Sequence, residues 1–274
     1  ITLKQNNFFM IKRLKYFYTI LLGIFVRANF NLKSKDFEKL YDFNPSIFFN
    51  DTVSNEMNID GFYEKEQLEV IKPFLDNNIF LDIGSNLGNH TLYFNKNFKE
   101  IYCFEPHPLS YSLLKLNTKY KSNIKIFNFG LSEKSKTANI KIKSQKNISG
   151  ENFKNNNDID KDSITEDVFF KNFDELYNFK DSLSFIKIDV EGNELDVIKS
   201  MTKNLENNSA NILLEFDVDN FSEKNEIISL LKSVGYRYFY FFETNKIPNL
   251  RIRNLFLIFF KVVFLGYKEK SKII

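Results

Sequence analysis

Two short stretches hold the side chains best suited to chemistry. In LDIGSNLGNHT an apolar run closes at Asp82, and Gly84, Ser85, Asn86 and Gly88 form a turn ahead of a helix-like segment that carries His90. Glycines in such a turn let the backbone approach a ligand, and a helix N-terminus offers that ligand free amide hydrogens; making a tight turn is the simpler use. In FIKIDVEGNE the alternation of Lys187, Asp189 and Glu191 puts three ionisable groups on one side of a strand end. Buried charges must be paired, so Lys187 is expected to neutralise a carboxylate, while Glu191 or Glu194 would also suit a helix N-terminus.

Glu105 closes another apolar run, about twenty residues after Gly84, the distance at which a doubly wound fold places an acidic side chain on a ribose. Its two oxygens can accept from two vicinal hydroxyls at once, which points to an adenosine-containing ligand. A dinucleotide fingerprint starting at Gly84 would need glycine where Asn86 and Asn89 stand, and no GxxxxGK stretch occurs anywhere. A ligand without phosphate, carrying an amino-acid end, suits this turn better than NAD or a nucleoside triphosphate.

The elements that must position these residues alternate. Strands are expected over 79–83, 101–104, 124–129, 185–189, 211–216 and 236–242, with helices over 89–97, 108–119, 172–178, 193–204 and 222–233 between them. Such alternation implies an α/β domain with a doubly wound, mostly parallel sheet and helices on both faces. A short extra strand is expected over 140–142, followed by a polar, exposed loop over 144–163 that would act as a lid or stand as an insertion. A helical pattern through Tyr63, Gln67, Val70 and Ile71 should end by Pro73, and Gly235 should close the helix before it in a left-handed cap.

The stretches DIGSNLGNHT, YCFEPHP, FGLSE and FIKIDVEGNELDVIKSM, with the helix that continues to Asn117, resemble the FkbM family of S-adenosylmethionine-dependent methyltransferases in order and spacing. The resemblance implies a Rossmann-like class I methyltransferase fold. It implies that Asp82, Gly84, Ser85, Asn86 and Gly88 surround the methionine portion of the cofactor, that Glu105 holds the ribose, and that Gly130, Leu131 and Ser132 border the adenine. It also implies that Lys187, Asp189, Glu191 and Glu194 face the methyl group and an acceptor, expected to be a sugar hydroxyl in a glycan, glycolipid or related metabolite of polysaccharide biosynthesis.

Methyl transfer to an alcohol needs in-line positioning of two bound reactants and loss of the alcohol proton. Asp189 or Glu191 is the expected general base, with His90 and His107 in reserve. A carboxylate of ordinary pKa, about 4, is a weak base for an alcohol, so burial or a strongly ordered acceptor must help. Magnesium on Asp189, Glu191 and Glu215 is an alternative, but no metal-loop pattern accompanies those residues, and no metal is expected.

The chain has 274 residues, 43% hydrophobic and 27% charged, enough for one substantial domain with appendages. The division expected is an N-terminal helical appendage (1–50), a methyltransferase domain (51–250) and an apolar, basic segment (251–274) forming a last strand or an interfacial helix. A net charge of +3 with 38 basic and 35 acidic residues spread along the chain excludes a nucleic-acid field. The lone Cys103 fits a reducing compartment, and the basic-then-apolar order from Lys12 lacks a cleavage pattern, so a cytoplasmic location is expected. The apolar ends leave peripheral contact with the inner membrane face open. Two other functions compete: an NAD-dependent oxidoreductase, which would use Glu105 equally well, and a catalytically silent module binding glycan or membrane.

Overall fold

The computed structural model describes residues 45–48, 51, 53–54, 57, 61–142, 164–217, 221–244 and 261–267. The expected N-terminal helix, the polar stretch 144–163 and the basic residues after 267 lie outside them. No helix among the described residues is long and apolar enough to cross a membrane.

The order is α1 (Lys65–Ile71), β1 (Ile79–Ile83), α2 (Asn89–Phe94), β2 (Glu100–Phe104), α3 (Pro108–Thr118), β3 (Ile124–Phe127), β4 (Gly130–Leu131) and β5 (Lys136–Ile142). It continues with β6 (Ile164–Lys171), α4 (Phe173–Leu176), β7 (Leu183–Ile188), α5 (Glu194–Ser200), α6 (Thr202–Glu206), β8 (Asn211–Asp217), α7 (Phe221–Ser233), β9 (Tyr238–Thr244) and β10 (Lys261–Tyr267). Seven strands form one sheet in the order β3-β2-β1-β7-β8-β10-β9. The first five are parallel, and β10 inserts antiparallel to both β8 and β9. Lys261–Tyr267 is therefore a strand of the sheet.

Alternation along the strands produces two cores, one on each face of the sheet. Leu81 and Ile83, Tyr102 and Phe104, Ile186 and Ile188, and Ile212 and Leu214 pack on one face. Phe80, Ile101, Cys103, Phe185 and Leu213 pack on the other, with Phe94 and Leu114 from α2 and α3. Strands that are apolar on both faces read as continuous hydrophobic runs, which is why the parallel strands were recognisable. Each fully buried Phe or Leu contributes about 1.5–3 kcal/mol.

A second sheet, β4-β6-β5, was not foreseen. The strand expected over 140–142 is longer, Lys136–Ile142, because β6 pairs with it antiparallel along its whole length. In β6 only Val168 and Phe170 are buried among the side chains described, and Thr165, Glu166, Asp167 and Phe169 are exposed. That thin pattern does not announce a strand. The single helix expected over 193–204 is two, because Met201 leaves helical geometry (φ −128, ψ 19) while its side chain fills the core. Gly235 adopts φ 99 after α7.

Candidate active site

The sheet order reverses direction between β1 and β7, and the crevice at the carboxyl ends of the strands opens there, as expected for an open α/β sheet. Its wall is formed by the ends of β1, β2 and β7 with β4 beside them. Of the expected residues, Gly84, Asn86, Glu105, Gly130, Leu131, Asp189 and Glu191 line it together.

Backbone geometry brings those residues together. Gly84 has φ 75, and a Cβ there would lie 1.8 Å from the Asp189 carbonyl oxygen. The glycine is thus required by the approach of β7 to the turn, not only by a ligand. A Cβ on Gly130 would meet the Phe170 ring at 2.6 Å, so that glycine lets β6 close the side of the crevice. Asn86 and Glu191 are non-glycine residues held at φ 49 and φ 52. Strained backbone of this kind concentrates at functional sites.

Glu105 is 6% exposed and accepts from two main-chain amides, Asn86 N to Oε2 at 2.7 Å and His107 N to Oε1 at 2.9 Å. Burial nevertheless raises its pKa to about 7, against the lowering effect of those two hydrogen bonds. Each carboxylate oxygen retains a lone pair. Asn86 Oδ1 is buried without a hydrogen-bond partner beside it. An acceptor pair and an orphaned amide oxygen in one crevice fit the ribose and polar groups of S-adenosylmethionine.

Other expected residues support the crevice without lining it. Asp82 is fully buried; its Oδ2 accepts from the Thr91 amide (3.1 Å) and hydroxyl (2.5 Å), fastening α2 beneath the turn. The Ser85 hydroxyl donates to the Asp82 carbonyl at 2.6 Å. Gly88 is the N-cap of α2. The Ser132 hydroxyl donates to Asp196 (2.7 Å), which also accepts from the Glu133 amide (3.0 Å) and Lys136 Nζ (3.0 Å), so Ser132 ties β4 to α5. His90 is half-buried on α2 with its ring 6.4 Å from that of Phe94.

Lys187 is 3% exposed, and Nζ donates to the Gly84 carbonyl at 2.7 Å. It also lies 3.2 Å from Asp189 Oδ2 and 3.7 Å from Asp82 Oδ1. Burial alone would lower its pKa, but the carboxylates of Asp189, Asp82 and Glu215 more than offset it and raise the ammonium above its ordinary value. The lysine is a strut joining the glycine turn after β1 to β7. Glu194, also buried, accepts from the Gly192 amide at 2.9 Å, and burial raises its pKa. Among the described residues no group of three His, Cys, Asp or Glu is placed so as to hold a metal ion.

His107, Ser110, Phe170, Val190 and Asn193 also line the crevice. His107 caps α3, its Nδ1 accepting from the Ser110 amide at 3.4 Å, and burial lowers its pKa to about 4. From the sequence it is expected only as a reserve base. Ser110 was findable, one turn into the helix after Glu105; Phe170 was not, since its strand was unrecognised. Cys103 is buried beside Thr91, and burial pushes its thiol pKa up, so it is inert.

A sheet of this order with a carboxylate at the end of β2 and a glycine turn after β1 defines a Rossmann-like class I methyltransferase domain. The family model described as the methyltransferase FkbM domain matches residues 82–238. The chain belongs to the FkbM family of S-adenosylmethionine-dependent methyltransferases.

Among solved structures, the chain is similar to the FkbM methyltransferase of Methylobacillus flagellatus KT at 15% identity and a TM-score of 0.45, over 70% of this chain and 44% of that one. The chain thus spans less than half the length of that relative. It is similar to a precorrin-6y C5,15-methyltransferase from Geobacter metallireducens GS-15 at 12% identity and a TM-score of 0.47, over 77% of this chain and 95% of that one. It is also similar to an rRNA methylase from Streptococcus thermophilus at 12% identity and a TM-score of 0.44, over 74% and 95% of the two chains. No curated protein matches.

Proposed function

We propose that the protein transfers the methyl group of S-adenosylmethionine to a hydroxyl of a sugar, glycan or glycolipid. The observation that carries the donor side is Glu105, a buried carboxylate at the end of β2 whose two oxygens are oriented by main-chain amides and aimed at a crevice. Glu105 holds the ribose hydroxyls, Asn86 and the Gly84 turn receive the amino-acid end, and Gly130 with Leu131 borders the base. The bound cofactor supplies an electrophilic methyl on a sulfonium, which an oxygen must approach in line.

Asp189 and Glu191 follow β7, which with β2 flanks β1, so they line the crevice across β1 from Glu105, where an acceptor hydroxyl would meet the donor. Lys187 Nζ holds Asp189 in place, 3.2 Å from its Oδ2; Asp189 accepts the hydroxyl proton, and Glu191 orients the acceptor from the adjoining turn. Phe170 and Val190 shield the reacting atoms from water. The hydroxyl acceptor follows from the family resemblance together with these two carboxylates, since a fold does not fix a substrate. We infer a cytoplasmic enzyme that meets a glycan or lipid-linked acceptor at a membrane face.

The test is transfer of labelled methyl from S-adenosylmethionine to cell-envelope extracts, oligosaccharides and total RNA. Label in carbohydrate with wild type, and at least about a hundredfold less with Asp189→Asn, is expected. Label confined to RNA or protein rejects the acceptor class, and saturable binding of NAD without binding of S-adenosylmethionine rejects the donor.

A further inference from the structure

Several helix hydroxyls of this chain turn back on their own backbone. On α3, Ser112 donates to the Pro108 carbonyl at 2.8 Å and Thr118 to the Leu114 carbonyl at 2.8 Å; Ser200 and Ser233 do the same at the ends of α5 and α7. Ser110, on the first turn of α3, departs from this pattern. Its hydroxyl makes no hydrogen bond among the described residues, although the residue is only 3% exposed and lines the crevice. The carbonyl one turn back, that of Pro106, accepts instead from Asn128 Nδ2 at 3.2 Å. A buried hydroxyl without a partner costs free energy, and this one stands where a ligand in the crevice can supply the partner.

Ser110 belongs to the same wall as Glu105. Its amide donates to His107 Nδ1 at 3.4 Å, and the His107 amide donates to Glu105 Oε1 at 2.9 Å, so the serine and the carboxylate are joined through one histidine. An ionised carboxylate only accepts, whereas each hydroxyl of a vicinal diol both donates and accepts. Glu105 can therefore take the protons of a ribose diol but cannot satisfy its oxygens. The amides that meet Glu105, those of Asn86 and His107, are spent on the carboxylate itself. Resting on the ribose role proposed for Glu105, we infer that Ser110 is a second ribose-binding residue, its hydroxyl donating to a sugar oxygen whose own proton goes to Glu105. Together the two side chains read the diol as donor and as acceptor, and a cofactor lacking that hydroxyl leaves both unanswered.

Calorimetric titration of the full chain with S-adenosylhomocysteine and with its 2′-deoxy and 3′-deoxy analogues tests this at pH 8.5, where Glu105, with its pKa of about 7, is ionised. Ser110→Ala should weaken S-adenosylhomocysteine about fivefold. The loss should vanish for the analogue that lacks the hydroxyl Ser110 meets and persist for the other. The melting temperature of the ligand-free variant should stay level or rise, because the substitution removes a hydroxyl without a partner and puts a better helix former in α3; a structural serine would give a fall. An equal loss for all three ligands, or no loss for any, overturns the role of Ser110 and leaves Glu105 standing. Wild-type protein that binds all three equally, or none of them, overturns the ribose role of Glu105 and the inference with it.

Discussion

Replacing Glu105 by Gln and following donor binding with pH isolates the residue on which the proposed cofactor site depends. In the folded chain the carboxyl has a pKa of about 7, raised from 4.5 chiefly by burial. In the proposed cofactor site ribose hydroxyls donate to it, so the ionised form is the one that binds. As pH falls below about 7 the fraction ionised drops tenfold per unit, and the dissociation constant should be roughly 30-fold larger at pH 5.5 than at pH 8.5. His107 does not confuse the profile, because its pKa lies near 4, below the window.

The same shift sets a stability trend in the cofactor-free protein. The native carboxyl holds its proton more tightly than the unfolded one. Its contribution is therefore full below pH 4.5 and is lost as pH rises through 7. In Glu105→Gln the donor loses one or two charge-assisted hydrogen bonds, about 2–4 kcal/mol, or roughly 30- to 1,000-fold in affinity. One amide hydrogen of the new side chain also faces the Asn86 or His107 N–H, where an acceptor stood. Isothermal titration of S-adenosylmethionine from pH 5.5 to 8.5 reads all of this. A flat wild-type profile, or a variant that retains the break near 7, refutes the role given to Glu105.

Other outcomes follow from the same geometry. Gly84→Ala forces a Cβ to 1.8 Å from the Asp189 carbonyl at φ 75 and should cost about 3 kcal/mol or more, seen as a lowered melting temperature. Lys187→Met leaves Asp82 and Asp189 without their shared cation and frees the Gly84 carbonyl; it should destabilise the chain by about 3–5 kcal/mol in chemical denaturation. Asp196→Asn weakens the tie between β4 and α5 and should raise the donor's dissociation constant a few-fold with kcat nearly unchanged, which steady-state kinetics with varied donor can resolve.

The order of strands and helices, the glycine turn after β1 and the acid at the end of β2 were legible because each is a local signal. Parallel strands buried on both faces, such as 79–83 and 183–188, announce themselves as short apolar runs. A residue directly after such a run must stand at the sheet's carboxyl edge. Asp189 and Glu105 could therefore be placed before any contact was known, and Lys187 could be given a carboxylate partner because a buried ammonium is costly unless it is paired.

Only the folded chain decides which of the neighbouring polar residues face the ligand. Asp82 and Glu105 both end strands of the same type, yet Asp82 is spent on Thr91 and Lys187 under the turn while Glu105 opens to the crevice. Periodicity places a side chain on a face of the sheet, but a helix laid over that face covers some positions and spares others, and that depends on packing between distant segments. The same holds for β6, which brings Phe170 to the site through pairing with β5, and for Gly84, whose missing Cβ makes room for Asp189, a neighbour far away in sequence. Local propensity carries no record of contacts between residues so far apart in the chain, so those parts of the site exist only in the tertiary structure.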